Sequence, residues 1–151
     1  MKVARPLVVL DLETTGIWIE KDRIIEIALI KLLPDGSREQ FASKVNPAMS
    51  IPPRVTEITG ITQEDVKDAP AFGTIAGKVL QFIGDADIGG FNVGRFDLPL
   101  LAREFLDAGI TFDYSQRAIY DAQKVYHLHN KRDLSAAFAF YCQQELKLLY
   151  Q

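Results

Sequence analysis

Apolar residues in the first third of this chain fall into short runs that are separated by turn residues. Leu7–Leu10 is a continuous apolar run that stops at Asp11, which is typical of a buried central strand. A second strand is predicted at Ile24–Leu33, and the Pro-Asp-Gly turn at 34–36 leads into a return strand at Ser37–Val45. This part of the chain therefore predicts one strand followed by a β-hairpin.

Three helices are predicted in the middle of the chain. The segment PRVTEITGIT predicts a short helix that ends at Gly60. Ala71–Ile83 and Asp97–Ala108 carry apolar residues at the 3.6-residue period, and each is followed by a glycine that ends it, Gly84 and Gly109. The first apolar stripe comprises Phe72, Ile75, Ala76, Val79, Leu80 and Ile83. The second apolar stripe comprises Leu98, Leu101, Ala102, Phe105 and Leu106.

Two further strands and a last helix complete the pattern. ADIGGFN predicts a short strand, and AIYDAQKVYHL predicts a strand that runs into a helix. Asp133 is the predicted N-cap of a final helix through Tyr141. A strand, a hairpin and then alternating helices and strands are typical of an α/β domain with a mixed sheet covered by helices. We expect residues 1–151 to form a single domain.

Composition restricts the class of protein. The chain has 151 residues, of which 48% are hydrophobic and 25% charged, as expected of one globular domain with a sizeable core. Cys142 is the only cysteine, which excludes a disulfide within the chain. The N-terminus lacks a signal-peptide pattern, and no apolar run reaches membrane-spanning length. We therefore expect a soluble protein of a reducing compartment, the cytoplasm, with no membrane partner.

Acidic residues mark the first candidate site. The formal net charge is -3, so a nucleic acid would depend on local basic groups or metal ions for attraction. Asp11 and Glu13 in LDLETTG share one face of a strand, with backbone positions about 6.6 Å apart. Carboxylates at this spacing, at the carboxyl end of a central strand, can converge on one cation. The alternative interpretation is a strand that ends in ordinary polar residues.

A second segment, GGFNVGRFDLPLL at 89–101, combines a strand end, a glycine-rich turn and an aromatic-aspartate pair that opens a helix. The structural interpretation makes Asp97 a helix N-cap and Phe96 a packing contact. An N-cap role would be compatible with a functional one, because a carboxylate at a helix N-terminus is expected to stay ionised. Asp97 is therefore a third candidate ligand for a cation.

LDLETTG followed by FNVGRFD, with ITGIT between them, resembles the first and second motifs of the DEDD-type (DnaQ-like) 3'-5' exonucleases. This family includes proofreading subunits of bacterial DNA polymerases and RNase T-like enzymes. The resemblance implies a ribonuclease H-like fold, a mixed sheet of about five strands whose second strand is antiparallel. It also implies that Asp11, Glu13 and Asp97 are the catalytic metal ligands for two divalent cations, Mg²⁺ or Mn²⁺.

The same resemblance implies a set of nucleotide contacts. Phe96 matches the aromatic residue that stacks on terminal bases, and Thr14 and Thr15 match positions that touch the terminal nucleotide. Asn92 is retained from the second motif, although Phe91 precedes it where many members carry His, and Ile61 is expected to pack against a base. The implied substrate is a single-stranded or frayed 3' end of DNA or RNA, with a DNA polymerase as an expected partner.

One departure concerns the third motif of the family, His-x4-Asp or a Tyr version of it. In HLHNKRD, Asp133 lies six positions after His127 and four after His129, whereas the motif needs five. We expect both histidines to be solvated. The expected consequence is a domain truncated at its C-terminus, without the family's C-terminal helix and with weak or absent nuclease activity. A fragment of a longer exonuclease, a missing tail and a naturally shortened relative remain open, as does a non-catalytic nucleic-acid-binding module.

Basic and aromatic residues near the two motifs are further candidates. Lys21, Arg23 and Arg95 either contact phosphates or lie on a solvated surface. Trp18 lies between Ile17 and Ile19, which favours packing against the core over stacking on a base.

Overall fold

The computed structural model describes residues 2–123, which form a five-stranded sheet flanked by helices. Its strands are β1 (Leu7–Thr14), β2 (Ile24–Leu32), β3 (Arg38–Lys44), β4 (Asp87–Gly90) and β5 (Ile119–Asp121). Its helices are α1 (Pro53–Thr59), α2 (Gln63–Val66), α3 (Phe72–Ile83) and α4 (Leu98–Asp107), and a π-helical turn, Val93–Asp97, precedes α4. The predictions for His127 and His129 and for the final helix from Asp133 to Tyr141 lie outside the described residues.

The sheet order is β3-β2-β1-β4-β5, with β1 in the centre. β2 runs antiparallel to β1 and forms a hairpin with β3, whereas β4 is parallel to β1 and β5 is parallel to β4. The predicted mixed sheet with an antiparallel second strand is therefore confirmed. β1 extends four residues past its predicted end and includes both acidic residues, because Asp11 and Glu13 pair with Ala28 and Glu26 of β2.

The main core lies between the sheet and helices α3 and α4. Val8, Leu10 and Leu12 alternate along β1 and point into this core, as the two-residue period of a strand requires. Phe72 of α3 packs edge-on against Phe105 of α4, with ring centroids 5.2 Å apart. None of the helices within residues 2–123 has the length and apolarity needed to cross a membrane.

The apolar stripe of α3 is confirmed, but that of α4 is displaced by about one residue. Leu106, which we expected on the buried stripe, is exposed, while Leu100 and Glu104 are buried. The buried face of α4 therefore accommodates a carboxylate, and the hydrophobic pattern alone does not reveal this. Glu104 accepts hydrogen bonds from the backbone N–H of Ile24 and from the Arg23 guanidinium, at 3.0 and 3.2 Å. These bonds fasten α4 to the start of β2.

Candidate active site

Asp11 and Glu13 lie in the last four residues of β1, on the face opposite Leu10 and Leu12. Burial of those two leucines in the core orients the two carboxylates away from it, towards one side of the sheet. The pairing of β1 with β2 is regular up to Glu13, and the register shifts between Glu13 and Thr14. Asp11 and Glu13 thus share one face of β1, as the sequence predicted.

Asp97 reaches the same region from β4. This strand is parallel to β1, so the π-turn that follows it begins beside the carboxyl end of β1. The Asp97 side chain is 7% exposed and accepts a hydrogen bond from the backbone N–H of Leu12. This bond joins the second motif directly to the first. The N-cap interpretation is wrong, because Asp97 has helical backbone angles of φ -60° and ψ -48° and makes no side-chain capping bond.

Glycine at position 90 permits the close approach of β4 to β1. A Cβ at Gly90 would lie 2.7 Å from the carbonyl oxygen of Leu10 and 3.1 Å from the Cβ of Val93. The first contact is closer than a side chain tolerates and is with backbone, and the second is tight. The glycine-rich sequence before the π-turn therefore has a steric cause, which is the packing of this turn against β1.

The three carboxylates repel one another. Burial, then Asp11 and then Glu26 raise the pKa of Glu13 to about 7. Burial and the neighbouring Asp11 raise the pKa of Asp97 to about 8, and the bond from Leu12 only partly offsets them. The expectation that Asp97 stays ionised is therefore wrong for the metal-free protein at neutral pH. Full ionisation of all three carboxylates at neutral pH would therefore need a nearby positive charge.

The chemistry of these residues fits a hard divalent cation. All three candidates offer carboxylate oxygens, the ligands that Mg²⁺ and Mn²⁺ prefer, and a cation would relieve their mutual repulsion. Within residues 2–123, no group of three His, Cys, Asp or Glu side chains has the geometry of a complete metal site. Mg²⁺ commonly binds through one or two carboxylates and retains water, so an incomplete protein cage is compatible with it.

Asp121, which our sequence analysis did not identify, holds the π-turn in place. It is buried at the end of β5, where Oδ1 accepts the backbone N–H of Asn92 at 2.8 Å and that of Gln123 at 3.0 Å. Its Oδ2 accepts the N–H of Gly94 at 3.4 Å. Asn92 has a positive φ of 57°, which asparagine tolerates better than most residues. The sequence signal that could have identified Asp121 is a carboxylate at the end of the short predicted strand in AIYDAQKVYHL.

We predict that Asp121→Asn weakens Mn²⁺ binding about tenfold, because residues that orient metal ligands affect affinity on this scale. An asparagine amide would turn N–H donors towards backbone N–H groups, so the π-turn that carries Asp97 would lose its anchor. Calorimetric titration with Mn²⁺ measures the effect. Asp113→Asn is the matched control, since Asp113 also accepts a backbone N–H but is exposed and lies outside the site. Equal Mn²⁺ affinity in both variants would contradict a positioning role for Asp121.

Comparison with known proteins assigns the family. The exonuclease (RNase T) family model matches residues 8–149. The chain belongs to this exonuclease family. It is 35% identical over 104 residues to the PolC-type DNA polymerase III of Clostridium perfringens, which covers 69% of this chain and 7% of that protein. It is 35% identical over 103 residues to the 3'-5' exonuclease DinG of Bacillus subtilis, which covers 68% of this chain and 11% of the relative.

A solved structure supports the fold assignment of this exonuclease-family chain. The zinc-bound form of the E. coli ExoI–ssDNA complex aligns with a TM-score of 0.74 at 19% identity, over 83% of this chain and 30% of that one. The ribonuclease H-like fold predicted from the resemblance is thereby confirmed. The chain spans about a tenth or less of the two curated relatives, so it corresponds to one part of those proteins.

The predicted nucleotide contacts divide into two groups. Asn92, directly before the π-turn, and Phe96, on it, are half-buried, and Phe96 also packs against the core. Thr14 lies at the end of β1, where its hydroxyl donates to the carbonyl of Gly16 at 2.7 Å. These three residues flank the carboxylates and keep part of their surface accessible.

Thr15 and Ile61 face the interior instead. The Thr15 side chain is 1% exposed, and its hydroxyl donates to Asp22 at 2.9 Å and accepts from the backbone N–H of Arg23. Ile61 is buried in a small cluster with Ile25, so neither side chain has free surface for a nucleotide. The exposed apolar residue of the ITGIT segment is Ile58, which the sequence pattern did not distinguish.

The three basic candidates also separate. Arg23 forms ion pairs with Glu104 and Asp107, so it serves the fold rather than a phosphate. Arg95 is exposed on the π-turn, two residues before Asp97. Lys21 lies against the ring of Trp18, with its Nζ 5.6 Å from the ring centroid. Arg95 and Lys21 are therefore the basic residues best placed to meet a polyanion.

Proposed function

We propose that this chain is the nuclease domain of a metal-dependent 3'-5' exonuclease, which removes nucleoside monophosphates from single-stranded or frayed 3' ends. The observation that carries the proposal is that Asp11 and Glu13 are near enough to Asp97 to raise its pKa, in a chain that the exonuclease family matches over residues 8–149. The raised pKa values of Glu13 and Asp97 also support the proposal, because strongly shifted carboxylates cluster at functional sites and a bound cation would favour their ionised form.

Each part of the site has a task in this hydrolysis. Two divalent cations, Mg²⁺ or Mn²⁺, would supply Lewis-acid polarisation of the phosphate and a more acidic bound water. Asp11, Glu13 and Asp97 would hold them, with the Leu12 N–H fixing the Asp97 carboxylate. Phe96 presents a ring on which a terminal base can stack without regard to its identity.

We propose DNA as the substrate class. Similar proteins support this choice, because they include a DNA polymerase III and an ExoI–ssDNA complex. The similarity to a DNA polymerase III also supports association with a DNA polymerase. RNA is the second candidate substrate, since stacking and phosphate contacts serve both polymers. A competition between DNA and RNA oligonucleotides of one sequence distinguishes them.

A second candidate function is a nucleic-acid-binding or interaction module without turnover. It is favoured by one observation, which is that residues 1–151 contain no His-x4-Asp spacing. That motif supplies, by resemblance, the last metal ligand and the residue that serves as or orients the general base. We therefore propose that these 151 residues alone hydrolyse DNA weakly or not at all.

We predict that residues 1–151 leave a 3'-labelled single-stranded oligonucleotide almost intact in Mg²⁺ or Mn²⁺. A version continued through a His-x4-Asp segment should digest it, and Asp11→Ala should lower that rate at least about a thousandfold, because such groups act as a unit. Gel analysis of the labelled 3' end measures both. Asp113→Ala is the control, since Asp113 is exposed outside the site.

Two results would change this assignment. Robust digestion by residues 1–151, lost on Asp11→Ala, would contradict weak activity of this chain. An inactive extended protein that still binds single strands would favour the module without turnover.

A further inference from the structure

The loop between β1 and β2 exposes two large apolar side chains directly after the first motif. Ile17 is 81% exposed and Trp18 is 61% exposed. The expectation that Trp18 packs against the core is therefore wrong. Burying an aromatic side chain of this size would stabilise the fold, so its exposure next to the first motif calls for another explanation.

The backbone beneath Trp18 is held by a buried carboxylate. Asp22 accepts the Trp18 backbone N–H on Oδ2 at 2.8 Å and the Thr15 hydroxyl on Oδ1 at 2.9 Å. The Trp18 carbonyl in turn accepts the backbone N–H groups of Lys21 and Asp22, at 3.1 and 2.8 Å. Both polar groups of the Trp18 backbone are thus fixed, and the ring is presented from an ordered turn.

Two further contacts tie the loop to the rest of the molecule. The Arg103 guanidinium of α4 donates to the carbonyl oxygens of Ile19, at 2.9 Å, and of Asp22. A Cβ at Gly16 would lie 2.5 Å from Oδ2 of Asp22, so the turn packs against this carboxylate as closely as glycine allows. The loop exposes its apolar side chains while its backbone is bonded on both sides.

A cation accompanies the exposed ring. The Nζ of Lys21 lies 5.6 Å from the centroid of the Trp18 ring, within the range of a cation–π contact. An aromatic face beside a positive charge matches single-stranded nucleic acid, which offers bases for stacking and phosphates for ion pairing. The loop is also continuous with the carboxylates, because Trp18 follows Glu13 by five residues, at most about 17 Å of extended chain.

We infer that Trp18 is a preformed stacking platform for a base of single-stranded nucleic acid, with Lys21 beside it for the adjoining phosphate. This inference rests on the proposed function and adds to it a binding position outside the two motifs. It also gives a reason for preferring unpaired strands, since a base in a duplex is already stacked on both faces.

Trp18 is the only tryptophan in the chain, so its fluorescence reports this position alone. The 151-residue protein is titrated with oligo-dT labelled at its 5' end, in Ca²⁺ to suppress hydrolysis. The fluorescence anisotropy of the labelled oligonucleotide measures the affinity, and a change in tryptophan emission reports contact between Trp18 and the oligonucleotide. We expect quenching of Trp18 on binding, and about a ten- to hundredfold weaker affinity for Trp18→Ala, as for the loss of one stacked base.

Matched variants separate stacking from other effects. Trp18→Phe keeps a ring and should retain most of the affinity, while Lys21→Gln should lower the salt dependence of binding by about one counterion. Leu106→Ala removes an equally exposed apolar side chain from α4 and should change neither signal. Thermal unfolding should be nearly the same for all of them, because Trp18, Lys21 and Leu106 are all exposed.

The possible failures of the inference are distinguishable. Oligonucleotide binding with unchanged emission and an unchanged affinity for Trp18→Ala would overturn the platform and leave the proposed function intact. If self-association in sedimentation were then lost in Trp18→Ala, the loop would be a protein contact. No binding of single strands in any metal would overturn the proposed function and the platform together.

Discussion

Replacing Asp97 with asparagine is expected to stabilise the metal-free protein at pH 8 and to abolish its stabilisation by Mg²⁺. Folding raises the pKa of Asp97 from its ordinary 3.8 to about 8, chiefly through burial and the nearby Asp11. Between these values the folded state binds more protons than the unfolded state, so the free energy of unfolding falls as the pH rises. Asparagine carries no charge at any pH and escapes this penalty.

Urea unfolding at pH 5 and pH 8, in EDTA or in Mg²⁺, measures each part of this expectation. The wild type should be less stable at pH 8 than at pH 5 without metal, and should gain more from Mg²⁺ at pH 8, where the carboxylates have lost their protons. For Asp97→Asn, the free energy of unfolding should fall less steeply with pH, because one of the two shifted carboxyls is gone. It should still fall somewhat, because Glu13 has a pKa of about 7. A thermal scan of Asp97→Asn in EDTA at pH 8 should in addition show a midpoint a few degrees above that of the wild type, the effect of about 1 kcal/mol.

Asp68→Asn is the control for a general effect of charge, since Asp68 is exposed and lies outside the site. It should follow the wild type in all four conditions. An Asp97→Asn protein that gained as much stability from Mg²⁺ as the wild type would remove Asp97 from the proposed ligands. A metal-free wild type whose stability did not fall between pH 5 and pH 8 would contradict the raised pKa itself.

The order of strands and helices along the chain was predictable because its signals are local. The run from Leu7, the Pro-Asp-Gly turn and the apolar stripe of α3 each depend on residues that are close in sequence. The shared face of Asp11 and Glu13 follows from the same two-residue period. The sequence also pointed to Asp97, through a second motif whose place after β4 brings it beside β1.

The electrostatic state of Asp97 was not predictable from its own segment. The position of Asp97 at the start of a predicted helix suggested an ionised N-cap. In the structure, Asp97 ends a π-turn and lies near carboxylates of β1 and β5. Burial and the charge of Asp11 act across strands, so neither is visible within FNVGRFD. The anchoring of this turn by Asp121 is likewise a contact over 29 residues.

The exposure of side chains in the loop after the first motif was not predictable for a related reason. Apolar neighbours made burial of Trp18 the natural interpretation, while the resemblance matched Thr15 to a position that touches the terminal nucleotide. The structure exposes Trp18 and buries the Thr15 side chain, since Asp22 binds the Thr15 hydroxyl inside and the Trp18 backbone at the rim. One buried carboxylate four residues from Trp18 decides which side chains face solvent, and hydrophobicity does not encode this choice.

Glu104→Gln is expected to cost about 2–3 kcal/mol of stability, the largest loss we predict for a residue outside the metal site. Glu104 is 2% exposed, and its two oxygens accept from the Ile24 N–H and from Arg23. A glutamine amide would offer one acceptor and turn N–H donors towards the other partner. Removing one member of a buried ion pair can cost 3–5 kcal/mol, but the Arg23 side chain is 41% exposed and water can solvate it.

Thermal unfolding of Glu104→Gln should show a midpoint about 6–12 °C below that of the wild type. Glu64→Gln is the matched control, because Glu64 also pairs with a basic residue, Lys67, but on the surface of α2, where such a pair contributes less than about 1 kcal/mol. The backbone carbonyl of Arg23 accepts the Thr15 backbone N–H at 2.9 Å, so releasing the Arg23 side chain from Glu104 should loosen the loop that carries Trp18. Hydrogen exchange at Thr15 that is faster in Glu104→Gln than in Glu64→Gln would link the buried carboxylate of α4 to this loop. A midpoint shift within about 2 °C of the control, with equal exchange, would show that Arg23 and Ile24 do not depend on Glu104.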